Sequence, residues 1–326
     1  MAFQLTADSV AGYLRERGVL GDGPVAAAVL PGGVSNDVFA VTGDGVDLVV
    51  KQALPRLRVA AEWQADVRRI LTEAEALRIA SSIRPDDVPA VVDVDDAAMT
   101  LTISRADRKL RNWKSDLLAG SADGHTAGRL ADALAAWHTS TAGQPGWQER
   151  FGTGAFVELR ISPYHRWISK RHPSVAARID DLADGLLEHR LCLVHGDFSP
   201  KNVLADGARV SVLDWEVAHY GDPVFDVAFL QTHLLLKAVH RPESSGAYRK
   251  LADTFLRRYA AGVPDSLRRP DDYLAGQVGC LLLARVDGKS PAEYLTDVEA
   301  LRVRGIALDT LCGSGDVAAI WQVVDG

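Results

Sequence analysis

The stretch LVHGDFSPKNVL, residues 193–204, sets Asp197 and Asn202 five apart on a short irregular segment between two apolar runs, and Asp214 follows twelve residues beyond Asn202 at the end of VSVL. This spacing has a mechanism. In phosphoryl transfer one carboxylate accepts or orients the proton of an acceptor hydroxyl, while an amide oxygen and a second carboxylate hold Mg²⁺ against a triphosphate. The step from Asp to Asn at plus five is also that of the kinase catalytic loop. The plainer reading is a turn between two strands, since Gly196, Ser199 and Pro200 punctuate the chain and Asp197 and Asn202 suit turns.

Upstream residues bear on that choice. Lys51 ends the apolar run DLVVK, where a phosphate-contacting cation on an inner strand would sit, though taken alone it reads as a solvated strand end. Two carboxylates on the next helical pattern, Glu73 and Glu75, could orient it. Glu73 is the better partner because it falls beside the apolar stripe Ile70, Ala74 and Leu77. The loop PGGVSND at 31–37 has only Gly32 and Gly33, followed by Ser35 and Asn36, and so lacks a full GxGxxG pattern. It is either a plain turn or a place where backbone amides and Ser35 and Asn36 approach nucleotide phosphates.

HGDFSPKNVL and VSVLDWEVAHYGDPVFDVAFL, with Lys51 and Glu73 upstream, resemble the aminoglycoside phosphotransferase-like superfamily of small-molecule kinases, which includes choline, homoserine and methylthioribose kinases. The resemblance covers most of the chain. KQALPRLR and the pair Glu62–Trp63 look like methylthioribose kinases in particular, whereas the loop FSPKN is closer to the aminoglycoside phosphotransferase form. It implies a two-lobed, protein-kinase-like α+β fold using ATP (GTP remaining open) and Mg²⁺. Asp197 becomes the catalytic base, Asn202 and Asp214 the metal ligands, Lys51 the α/β-phosphate contact and Glu73 its ion-pair partner. His195 and Asp226 become scaffolding, and the adenine is held by the connection near Ile103 to Arg105.

The acceptor is then a hydroxyl on a small polar molecule: an aminoglycoside, sugar, thiosugar or amino alcohol. Candidate contacts are Arg160 and Tyr164 in FVELRISPYHRW, with Trp167 beside them; His233, with Lys237 at i+4; Arg285, with Asp287; and Glu216, next but one after Asp214. Each has a packing or solvation alternative, and Lys201 reads as an exposed or substrate-edge cation. A protein kinase is the weaker alternative. Only eleven residues separate Asp214 from Asp226, too few for an activation segment and APE element, and no glycine follows the metal aspartate. A catalytically inert nucleotide-binding module is the other, against which stands the retention of Lys51, Asp197, Asn202 and Asp214 together.

The elements that must position these groups fall into two textures. Residues 25–104 alternate short β-rich runs, with a hairpin at Gly43–Gly45, a helix from about Trp63 to Ile79, and two strands meeting at an acidic, solvated turn, Asp93 to Asp96. From 105 onward helical patterns dominate, at 123–140, 174–189, 224–240, 246–260 and 291–310, with small strands around the opening motif. The expectation is a nucleotide-binding lobe over 1–104 and a helical, acceptor-binding lobe over 105–326. The N-terminus reads as an amphipathic helix capped by Thr6 rather than a signal peptide, and no apolar run could span a bilayer. With 326 residues, net charge −7 and no basic face, nucleic acid is an unsuitable partner. Cys192, Cys280 and Cys312 suit reduced thiols and a cytoplasmic setting, as a monomer or homodimer.

Overall fold

The computed structural model describes residues 4–31, 35–56, 58 and 65–325. Helix α1 (Val10–Glu16) precedes strands β1 (Val25–Val29), β2 (Asn36–Gly43) and β3 (Val46–Ala53). Helix α2 (Arg69–Ile83) follows, then β4 (Val91–Asp95) and β5 (Thr100–Ser104). The five strands form one antiparallel sheet in the order β1-β2-β3-β5-β4. Asp44 and Gly45 make the β2–β3 turn, with Gly45 at φ +69°, the left-handed backbone that Asp-Gly hairpins require.

The alternation of β3 divides its side chains between two faces. Val50, with Phe39 and Val41 of β2, packs under α1 in a small core with Leu5, Val10 and Leu14. Val49 and Lys51 point the other way, with Lys51 opposite Val38 on β2 and Leu101 on β5. That face meets α2, whose Ile70, Ala74 and Leu77 are fully buried. Lys51 thus lies in mid-sheet, not at a solvated strand end.

Local expectations fare unevenly. Helix α1 runs from Val10, and Thr6 caps the turn that leads into it: its hydroxyl accepts from Ser9 N at 3.2 Å, the Ser9 hydroxyl accepts from Thr6 N at 2.9 Å, and Thr6 O accepts from Val10 N at 3.0 Å. The expected helix start near Trp63 lies outside the described residues, as do Gly32, Gly33 and Glu62; the described helix starts at Arg69. The acidic β4–β5 turn is not simply solvated. Arg17 at the end of α1 grips Asp93 with two bonds of 2.9 Å, and Tyr13 donates to Asp95 at 2.9 Å.

The remainder is mainly helical. It contains β6 (Arg111–Asn112), α3 (Trp113–Leu118), α4 (Gly124–Thr141), a π-helical segment Val157–Arg166, and α5 (Ala176–Glu188). Then come β7 (Cys192–Val194), β8 (Val203–Ala205), β9 (Val210–Val212), β10 (His219–Gly221) and α6 (Val224–His240). Helices α7 (Ser245–Gly262), α8 (Asp271–Asp287), α9 (Asp297–Cys312) and α10 (Val317–Asp325) complete it. The short strands form a β10-β7 pair and a β6-β8-β9 sheet. Helix α9 starts at Asp297 rather than 291 because Thr296 and Glu299 form a capping box. Among the described residues no helix is long and apolar enough to cross a membrane.

Candidate functional site

The loop after β7 is built by hydrogen bonds that fix its backbone. Asp226, in the first turn of α6, accepts from His195 N at 2.7 Å and Gly196 N at 2.9 Å. Gly196 sits at φ +77°, and a Cβ there would lie 2.6 Å from Val217 O, so the position admits only glycine. Burial holds His195 below its ordinary pKa, so its ring is neutral. Its Nδ1 accepts from Asp197 N at 3.1 Å and its Nε2 donates to Leu213 O at 3.0 Å, joining the loop to the end of β9.

Asn202 donates its Nδ2 to Asp197 Oδ2 at 2.8 Å and to Asp197 O at 3.0 Å, which turns its Oδ1 away from Asp197. The Asp197 carboxylate is also flanked by Arg160 Nη2 at 2.8 Å and Lys201 Nζ at 3.0 Å. Burial alone would raise its pKa, but these two cations outweigh burial and lower it, so the group is ionised and ready to accept a proton.

Across the cleft, Lys51 Nζ lies 2.6 Å from Glu73 Oε1 and 2.7 Å from Asp214 Oδ1. Burial opposes the lysine's charge, and Asp214 and Glu73 more than restore it, so its pKa is raised. Burial pushes Glu73 up to about 7, with Lys51 pulling it only part of the way back. Glu75 is elsewhere, in an ion pair with Arg150. Asp214 adopts φ +70°, an uncommon backbone for a residue with a side chain and a mark of a constrained site.

These groups share a cleft of about 460 Å³, walled by Val38, Val49, Leu77, Ile103 and Leu204 and reaching Lys51, Glu73, Asn202 and Asp214. Its apolar walls lie between the charged groups of the site and the connection carrying Arg105, Asp107 and Arg108. The Ile103–Arg105 connection lines it, but Ser104 N and Arg105 N already donate to Ala90 O and Asp47 O. Ala106 is the next backbone donor along it. The donor set fits Mg²⁺: Asn202 and Asp214 offer oxygens at one wall, and Mg²⁺ binds by one or two protein oxygens completed by phosphate and water.

Other candidates are distributed unevenly. Arg160, Tyr164, His233 and Arg285 form one buried group below Asp197. Glu216 is tied toward α2 and β2, its Oε2 accepting from Asn36 Nδ2 at 3.1 Å and Arg69 Nε at 3.1 Å, while its charge still acts on Lys51 and Arg160. Asn36 is likewise committed to that contact, and its neighbour Ser35 gives its carbonyl to Arg69. Asp287 pairs with Arg304 and His172, away from the loop. Sequence reasoning missed Arg69, a cation buried among long-range partners that no local pattern announces, and undervalued Lys201, whose contact with Asp197 needs the loop's fold.

A sheet-backed lysine–glutamate pair facing an Asp–Asn–Asp constellation across a cleft defines a small-molecule kinase. The chain belongs to the phosphotransferase enzyme family, whose description matches residues 26–269. It is 24% identical to a methylthioribose kinase of Bacillus cereus (strain G9842) over 318 residues, covering 82% of this chain and 80% of that protein. A choline/ethanolamine kinase family protein from Mesorhizobium loti shares the fold, with TM-score 0.52, 20% identity and 98% of each chain covered. So does the amicoumacin kinase hAmiN, solved in complex with AMP-PNP, Ca²⁺ and Ami, with TM-score 0.59, 15% identity and 94% of each chain covered.

Proposed function

We propose that this protein transfers the γ-phosphoryl group of ATP, with Mg²⁺, to a hydroxyl of a small polar molecule. The observation that carries this reading is the bridge of Lys51 to Glu73 and Asp214, at 2.6 and 2.7 Å, beside an Asp197 carboxylate bonded to Asn202. Residues 1–104 serve as the nucleotide-binding lobe and 105–326 as the lobe carrying the loop and the acceptor site. Lys51 contacts the α- and β-phosphates, with Glu73 fixing its direction. Asn202 and Asp214 hold the metal, which when bound neutralises phosphate charge. Ala106, following Arg105, is the donor best available to the adenine.

Asp197 orients the acceptor hydroxyl in line with the γ-phosphorus. As the acceptor oxygen bonds to phosphorus the β,γ-bridging P–O bond breaks, ADP leaves, and the hydroxyl proton passes to Asp197. Rate enhancement comes from position and charge rather than covalent chemistry. Among the described residues the three cysteines are unpaired, which supports a reducing, cytoplasmic setting.

The test is Asp197→Asn in a coupled ADP-release screen over aminoglycosides, methylthioribose, hexosamines, choline and homoserine. The variant is expected to fold and bind nucleotide as the wild type does, with turnover lower by about 10²-fold or more. Turnover equal to wild type rejects the assignment.

A further inference from the structure

Below the catalytic loop, positive charge accumulates without a matching acid. Arg160 pairs with Asp197, and its guanidinium lies 5.7 Å from the ring centres of Tyr164 and Phe229. Phe229, His233 and Lys237 follow at intervals of four on one face of α6, the first two rings 5.0 Å apart edge to face. Lys237 is fully buried, yet among the described residues its amine has only His233 O at 3.3 Å and the face of Tyr294, 5.5 Å from the ring centre. Arg285, nine-tenths buried, gives one nitrogen to Ser290, while its Nε is buried with no partner, as is the Tyr294 hydroxyl. Lys114 closes the group, bonded to Glu293 and 5.8 Å from the Tyr294 ring centre. Burial lowers His233 well below its ordinary range, and the fields of Lys237, Arg285, Lys201 and Lys114 add to it.

Among the described residues, Arg160, Lys201 and Lys114 are ion-paired only with Asp197 and Glu293, Asp214 and Glu216 act on Lys201 and Arg160 from farther off, and no carboxylate pairs with Lys237 or Arg285. Leaving a buried guanidinium and a buried amine without a counter-charge is costly, and it is the arrangement in which an arriving anion gains most. An acceptor bearing amines would be repelled from the same place. Resting on the kinase reading above, we propose that the acceptor carries, besides the hydroxyl that meets Asp197, an oxyanion, phosphate or carboxylate, bound by Arg285 and Tyr294 and neutralised by Lys237. Burial, with Lys114 and Arg285 beside it, pushes the Lys237 amine down to about 7, so it is partly neutral at rest and takes up a proton when an anion arrives.

The experiment has a binding arm and a turnover arm. In the first, inorganic phosphate and malonate are added separately to protein saturated with ADP and Mg²⁺, and Tm is followed. One or both anions are expected to stabilise the wild type and not Arg285→Met, and the anion that does so separates phosphate from carboxylate acceptors. Lys237→Met removes a buried charge and is expected to fold with a higher Tm while losing the same response, which preserves the test should Arg285→Met fail to fold. No stabilisation of the wild type, or equal stabilisation of a folded variant, overturns the proposal. In the second arm ADP release is compared for ribose and ribose 5-phosphate, for glycerol, glycerate and glycerol phosphate, and for glucosamine with its 6-phosphate. An anionic member should exceed its neutral or cationic counterpart by about tenfold or more in kcat/KM, a preference Arg285→Met abolishes. Turnover restricted to neutral or cationic members overturns the anion inference alone, whereas failure of ADP to bind the wild type removes the kinase reading beneath it.

Discussion

Lys201 and Arg160 both touch Asp197 but are held differently, and the difference predicts how each variant fails. Arg160 is buried, with Nε donating to Gly196 O at 2.8 Å and Nη1 to Leu159 O at 2.6 Å, so it supports the loop as well as the carboxylate. Lys201 is half exposed at its side chain, with its amine 3.0 Å from Asp197. A cation that remains near water is cheap to keep and free to turn toward charge developing on a transferred phosphoryl group. Lys201→Met is therefore expected to lower kcat by roughly tenfold or more with nucleotide Kd and Tm nearly unchanged. Arg160→Met should lower both kcat and Tm, because it strips bonds from buried carbonyls. Steady-state kinetics with a nucleotide titration and a melting curve separate the two; an unchanged kcat in Lys201→Met would leave that residue a surface charge only.

Helices and loops are tied into one site by Arg69, at the first turn of α2. Its guanidinium reaches Glu216 beyond β9, Leu54 O after β3, Ser35 O before β2 and Asp66 O ahead of its own helix. Arg69→Met leaves the Glu216 carboxylate buried without its cation, a loss of roughly 3–5 kcal/mol in such pairs, so a large drop in Tm is expected. Arg69→Met with Glu216→Gln should recover part of it, and no recovery in the double variant would show that the two do not act as a pair. What the chain's pattern disclosed follows the same division between local and distant. The hairpin at Asp44–Gly45, the Lys51 strand and the loop geometry around Asp197 are written in short-range alternation and turn chemistry, and the Glu73 choice followed from helical period alone. Helix α8 gave no such sign: it is buried on nearly all sides, so it has no polar face to betray its period, and Gly276 and Gly279 read as breakers. Their role is close approach, since Cβ atoms there would press at 3.1 Å on Leu182 and Thr310. The Glu216–Arg69 contact, spanning 147 residues, depends on the assembled fold, which no local pattern discloses.

At the scale of the whole molecule, a net charge of −7 coexists with a buried cationic cluster beside the catalytic loop, so global charge says little about the acceptor and local burial says more. Buried bases also set how the fold answers to acid. His165 accepts or donates only toward Gln277 at 3.1 Å, and His219 stacks on Phe156 with ring centres 3.9 Å apart and has only Val217 O at 3.1 Å for its Nδ1. Desolvation pushes both down to about 4, against an ordinary 6.5. For a base whose folded pKa is depressed, the stabilising contribution is complete above the unfolded value and is lost as pH falls through the folded one, because the unfolded chain takes up the proton first. The contribution of these two histidines should therefore hold above about pH 6.5 and fall toward pH 4, each losing up to roughly 3 kcal/mol across that window. His219→Phe keeps an aromatic ring against Phe156 and removes one titrating group. Denaturant unfolding at a series of pH values should show a shallower acid slope for it than for the wild type, by close to one proton. Parallel slopes would mean that His219 charges at the same pH in the folded and unfolded chains, and that the acid sensitivity lies with the other buried histidines, His165, His195 and His233, instead.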